Sequence, residues 1–132
     1  MREIKFRCFN PRSKQMIYDI GFHPTYAQDE DGVKIMAPFL DMPIMQFTGL
    51  KDKNGKEIWE GDIAKITQSR TDFLGEVTDL ATMVWKEDEA RFSFAFDENT
   101  VISSKQMNQI LRVEVIGNIY ENPEFLENPN NV

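Results

Sequence analysis

The chain has 132 residues, 41% apolar and 28% charged, with fifteen basic against twenty-two acidic side chains and a net charge of −7. That size supports one domain, or a domain with a small appendage, without a metal or disulfide staple, and a lone cysteine, Cys8, excludes an internal disulfide and a cysteine-cluster metal site. The acidic balance disfavours nucleic acid, whose affinity comes largely from cations neutralising phosphates. The longest apolar runs fall far short of the ~20 residues that span a bilayer.

Arg2–Phe9 alternates, with Ile4, Phe6 and Cys8 on one face and Glu3, Lys5 and Arg7 on the other. This predicts a half-buried strand with a wet face. The Asn10–Ser13 cluster predicts a turn, and Met16–Tyr18 a return strand. Arg2, Lys5, Arg7, Arg12 and Lys14 form the chain's basic concentration, read as a solvated hairpin face rather than a phosphate track. Cys8, sharing the apolar face, is expected to be a packed thiol.

His23-Pro24 and Asp29–Gly32 read as loop, with Asp31-Gly32 a candidate hairpin turn before a short strand at Val33–Met36. Pro38 and Pro43 forbid a long regular element there. Lys51–Gly55 predicts a turn whose Asn54-Gly55 pair tolerates positive φ, and Glu60–Asp62 a second one. Gly49, Gly55 and Gly61 are all expected to reverse the chain, while Phe47, Ile58, Trp59 and Ile63 pack what the reversals bring together. Two turns and two short strands in so few residues are the construction of a small barrel.

Residues 68–90 are ambiguous in period. Leu74, Val77, Leu80, Ala81 and Val84 fit helical spacing, but Gly75 interrupts and Thr78, Thr82, Val84 and Trp85 favour strand; strand is the reading adopted. Lys86–Ala90 is the expected turn into Arg91–Phe96, whose three Phe alternate onto one face. A short strand at Val101-Ile102, a short helix capped by Ser103 or Ser104, and a last strand over Val113–Tyr120 follow. Gly117 marks a bulge or a close backbone approach. Pro123 suits a helix start.

Three stretches, Met1–Arg7, Met45–Ile63 and Val115–Glu124, resemble in the same order the YopX family, small proteins encoded by bacteriophages and prophages, mainly of Gram-positive bacteria. The resemblance implies a mainly β fold with an SH3-like barrel over residues 44–132. Ahead of it stands a small N-terminal β-hairpin unit over 1–43, and one or two short helices complete the chain. Gly61–Ile63 would open the barrel and Val113–Tyr120 would close it. It brings no catalytic position or cofactor with it.

The residues themselves offer no catalytic arrangement. His23 is the single histidine, and Cys8 points toward the core. Asp52, Asn54, Glu57, Glu60 and Asp62 crowd the central turns without calcium-loop spacing: counted from Asp52, Gly55 stands fourth and Ile63 twelfth. The glycines have no helix behind them to form a phosphate loop. The expectation is therefore no enzyme, cofactor or metal. The protein is read instead as a cytoplasmic interaction or self-assembling module in the host bacterium, partnered by itself or by a phage or host protein, with no membrane. Met45, Phe47, Trp59 and Tyr120 are the candidate contact surface, being of types enriched at interfaces. The alternatives are a nucleic-acid-associated barrel of phage DNA metabolism and an acidic inhibitor of a host enzyme.

Overall fold

The computed structural model describes residues 3–20, 26–28, 34–36, 42–70 and 75–127. His23, the Asp31-Gly32 turn, Arg2 and Leu74 lie outside them. The chain divides into two compact units, Met1–Phe47 and Thr48–Val132.

In the first unit, β1 (Phe6–Asn10) and β2 (Gln15–Ile20) form the expected hairpin. The Asn10 side chain accepts from the main-chain N–H groups of Arg12 at 3.0 Å and Ser13 at 3.4 Å, so a single Asn sets the turn. The other edge of β1 pairs with the first residues of β5 (Ile44–Lys51). Between them β3 (Tyr26–Gln28) and β4 (Lys34–Met36) make a separate two-stranded ribbon.

The wet face predicted for β1 is not there. Arg7, Cys8 and Phe9 are buried in succession, whereas Ile4 is 60% exposed. Three consecutive buried residues mean that both faces of β1 are covered, and Arg7 meets this by stacking its guanidinium 5.8 Å from the Tyr18 ring. Cys8 is buried as expected, and desolvation pushes its thiol up from the ordinary value.

The second unit begins within β5, whose last residues pair with β6 (Glu57–Trp59). Gly49 does not reverse the chain. It sits inside β5 at φ 87°, a left-handed residue within a strand. Then come β7 (Asp62–Arg70), β8 (Gly75–Lys86), a 3₁₀ turn at Glu87–Glu89, β9 (Arg91–Asp97), β10 (Thr100–Val101), α1 (Ser104–Met107), β11 (Ile110–Asn118) and α2 (Glu124–Glu127).

Five of these form one antiparallel sheet in the order β10-β9-β8-β7-β11. A four-strand meander, β7 to β10, followed by a short helix and a fifth strand that returns beside the first, is the topology of an SH3-like barrel. Residues 75–86 are strand: β-branched and aromatic side chains with a continuous cross-strand partner outweigh a helical spacing interrupted by glycine. Of the two faces of β8, the core takes Ala81 and Met83, with Ile58, Ala64, Ile66, Phe94, Ile102 and Val115. Phe92 and Phe96 pack at its margin. Ser103 caps α1 in a full capping box with Gln106.

Candidate functional site

The central stretch is organised around two buried aspartates. Asp52 Oδ1 accepts from the main-chain N–H of Asn54 and of Lys56, each at 2.9 Å, and Oδ2 from that of Val115 at 2.9 Å. Burial pushes this carboxyl up, but the three N–H donors from Val115, Lys56 and Asn54, aided by the Lys56 charge, outweigh it and hold the group below its ordinary value. Gly55, at φ 80°, supplies the left-handed residue of the turn. Asp62 Oδ2 accepts from Trp59 N–H at 2.7 Å and fixes the second turn. Both carboxylates are occupied by main-chain donors. Among the described residues no three His, Cys, Asp or Glu side chains are grouped as metal ligands.

The C-terminal motif is a second hydrogen-bonded hook. Asn118 Oδ1 accepts from Tyr120 N–H at 3.0 Å and Glu121 N–H at 2.8 Å, while its Nδ2 donates to Glu121 at 2.9 Å. Asn122 closes the hook by accepting from Asn118 N–H at 3.2 Å. Gly117 is both a bulge and a close approach, since the register shifts between Val115 and Gly117 and an added methyl would lie 2.7 Å from Asn122 Cγ. The hook carries Ile119 N–H to Gly61 O at 2.9 Å, and Gly61 N–H reaches Met83 O at 2.8 Å. Two stretches far apart in sequence thus converge on β8.

Where they converge, two adjoining hollows open on the outer face of β8, sharing Thr82, Val84 and Ile119. The larger, about 600 Å³, is lined by Leu80, Phe96, Ile119 and Leu126, with Asp97 and Glu98 at its rim. The smaller, about 450 Å³, holds Trp85, Tyr120, Glu60 and Glu87. Four carboxylates and no Lys, Arg or His line the pair. Asp97 is held below the ordinary carboxylate value by the Asn99 main-chain N–H, at 2.8 Å, and by the Thr100 hydroxyl. The pair therefore combines an apolar floor with negative charge.

Of the four residues expected to form the contact surface, Tyr120 lies in this region, half-buried. Met45, Phe47 and Trp59 are 3%, 4% and 3% exposed, so they offer a partner almost no side-chain area. Interface types and core types overlap among large apolar residues, and composition could not separate them. Leu80, Val84, Ile119 and Leu126 went unnoticed. The alternation of β8 could have found the first two, had it shown which face the core uses.

Among the described N-terminal basic residues, two are drawn away from a solvent-facing track. Arg7 is buried, and Lys5 stands 4.8 Å over the Phe47 ring and 3.6 Å from Glu3. On the barrel, a third hollow of about 290 Å³ is lined by Lys51, Lys53 and Arg112. Lys53 lies 3.4 Å from Glu114, and Arg112 pairs with Glu76.

The sequence matches the YopX protein family over residues 5–127. The chain belongs to the YopX family. Its fold is shared with the protein EF1440 of Enterococcus faecalis, known from a crystal structure, at 28% identity and a TM-score of 0.59, over 96% of this chain and 99% of that one. The YopX protein of Bacillus subtilis, also a crystal structure, is 20% identical with a TM-score of 0.53, over 94% and 98% of the two chains. No curated protein matches the sequence. In the YopX family member described here, no helix among the described residues is long and apolar enough to cross a membrane.

Proposed function

We propose that the protein is a non-enzymatic protein-interaction module of bacteriophage or prophage origin, working in the cytoplasm of the host bacterium through the outer β8 face of its barrel. The observation that carries this reading is the larger hollow: an apolar floor of Leu80, Val84, Ile119 and Leu126 beside the carboxylates of Asp97 and Glu98. Apolar pockets with a few placed polar groups are binding sites by construction. An apolar floor beside carboxylates is sufficient to hold a ligand, and the reading is therefore binding rather than turnover. The YopX resemblance supports the phage origin, and the free thiol of Cys8 suits a reducing compartment. The acidic rim weighs against the nucleic-acid alternative, because a phosphate backbone would be repelled there.

Affinity capture from host lysate with the wild type and with Leu126→Lys tests the reading, since Leu126 is 42% exposed and its replacement leaves the core intact. The expected result is a specific protein retained by the wild type and reduced about ten-fold, some 1.4 kcal/mol, with the variant. Equal retention by both proteins would overturn it. So would retention of nucleic-acid probes at low salt with no protein captured.

A further inference from the structure

We propose that Asn54 is a site of spontaneous deamidation, that the turn around it sets the rate, and that conversion loosens the barrel's closing edge. Asn54-Gly55 is the one Asn-Gly pair in the chain. The residue after the asparagine matters because its amide nitrogen is the nucleophile, and glycine puts no side chain in the path of the attack. Both residues are exposed, and nothing stands within 4 Å of a Cβ built on Gly55. The site stands apart from the interaction reading, since neither residue lines the β8 hollows.

The reaction needs water alone. A solvent base takes the proton of Gly55 N–H, and the nitrogen attacks Cγ of the Asn54 side chain. The new N–C bond closes a succinimide ring as the Cγ–Nδ2 bond breaks, and the side-chain nitrogen leaves as ammonia with a proton from solvent. Water then opens the ring at either carbonyl. Opening at one leaves aspartate at position 54. Opening at the other leaves isoaspartate, whose main chain runs through the side-chain carbon and is longer by a methylene.

The folded turn holds this chemistry back. Gly55 N–H, the group that must ionise, donates to Asp52 O at 3.0 Å. Asn54 N–H donates to Asp52 Oδ1 at 2.9 Å, and Asp52 N–H to Lys56 O at 2.8 Å, so the residue carrying the electrophile is pinned within its turn. Attack therefore waits for the turn to open, as amide hydrogen exchange waits for local unfolding. Conversion to isoaspartate then undoes the turn. Lys56 N–H, also on Asp52 Oδ1 at 2.9 Å, lies beyond the lengthened link, and Oδ2 of the same carboxylate holds Val115 N–H. The added methylene pulls Asp52 away from β11.

The test ages the full chain, labelled with ¹⁵N, in mildly alkaline buffer and follows each asparagine by peptide mass spectrometry, with isoaspartate scored by an isoaspartyl methyltransferase. The expected result is that Asn54 exchanges its side-chain NH₂ for OH well ahead of Asn10, Asn99, Asn108, Asn118 and Asn122. Its rate should rise about ten-fold or more when the chain is unfolded in urea, and again in folded Asp52→Ala. Should that variant not fold, the urea comparison alone decides the control by the turn. Isoaspartate-containing protein should show displaced Val113 and Val115 amide resonances, while Asn54→Gln, whose longer side chain closes a ring less readily, keeps them in place on ageing. An Asn54 that converts no faster than the other asparagines would overturn the site. Equal rates in the folded and unfolded chain would overturn the control by the turn. Isoaspartate formed with the Val115 resonance unmoved would overturn the link to β11.

Discussion

Along β11, the outer edge of the barrel sheet is stitched shut by the turn at residues 51–56: Lys53 N–H donates to Val113 O at 3.0 Å, and Val115 N–H to Asp52 at 2.9 Å. Along Gly75–Ala81 of β8, no described residue does the same. The closed side is lined by Lys51, Lys53 and Arg112, with Glu114 beside Lys53, and Arg112 reaches across to Glu76 on β8. The open side carries acids alone at its hollow. The difference teaches that the residues most conspicuous in the sequence, the turn glycines, asparagines and Asp52, are spent on closing the barrel. The stretch Gly75–Ala81 carries no turn motif.

The largest effect should come from unpicking the closed edge. Asp52→Ala removes one carboxylate and strands three main-chain N–H groups. At about 1.5–3 kcal/mol for a hydrogen bond to a charged group, a loss of about 3 kcal/mol in urea unfolding is expected. An unchanged midpoint would mean that the turn does not hold β11. The same carboxylate sets a pH dependence. Its folded value lies below the ordinary 3.8, so its contribution is complete above that value and is lost as pH falls from there through the folded value. Asp52→Ala should therefore show a flatter stability profile below about pH 4 than the wild type.

Gly117→Ala strikes the hook that brings Ile119 to the β8 hollows. The methyl 2.7 Å from Asn122 Cγ must displace a side chain that itself accepts from Asn118 N–H. A cost of about 1–3 kcal/mol is expected, with shifts of Ile119 and Tyr120 amide resonances. Resonances that stay in place would detach the hook from the candidate site.

The open side should be the most tolerant. Glu76→Gln breaks a half-exposed ion pair with Arg112, and denaturant unfolding should register at most about 1 kcal/mol. A loss as large as that of Asp52→Ala would erase the contrast between the two edges.

Much of this was legible before any tertiary contact was known. The β1–β2 hairpin, the left-handed Gly55 and Gly61, the capped α1 and the bulge at Gly117 all follow from local chemistry, because turn and cap preferences act within a few residues. Of the four residues expected at a contact surface, Tyr120 lines a surface hollow. Met45, Phe47 and Trp59 were not separable from core by type.

The amino-acid sequence by itself determined that the chain is mainly β, where its strands turn, and that it belongs with the YopX proteins. Tertiary structure decided which faces and edges those strands expose. Alternation reports two faces of a strand without saying how many are covered. Arg7 therefore proved buried, and Ala81 and Met83 rather than Leu80 and Val84 entered the core. An edge leaves still less trace, because main-chain donors and acceptors are the same at every residue and only the neighbouring strand says whether they are used.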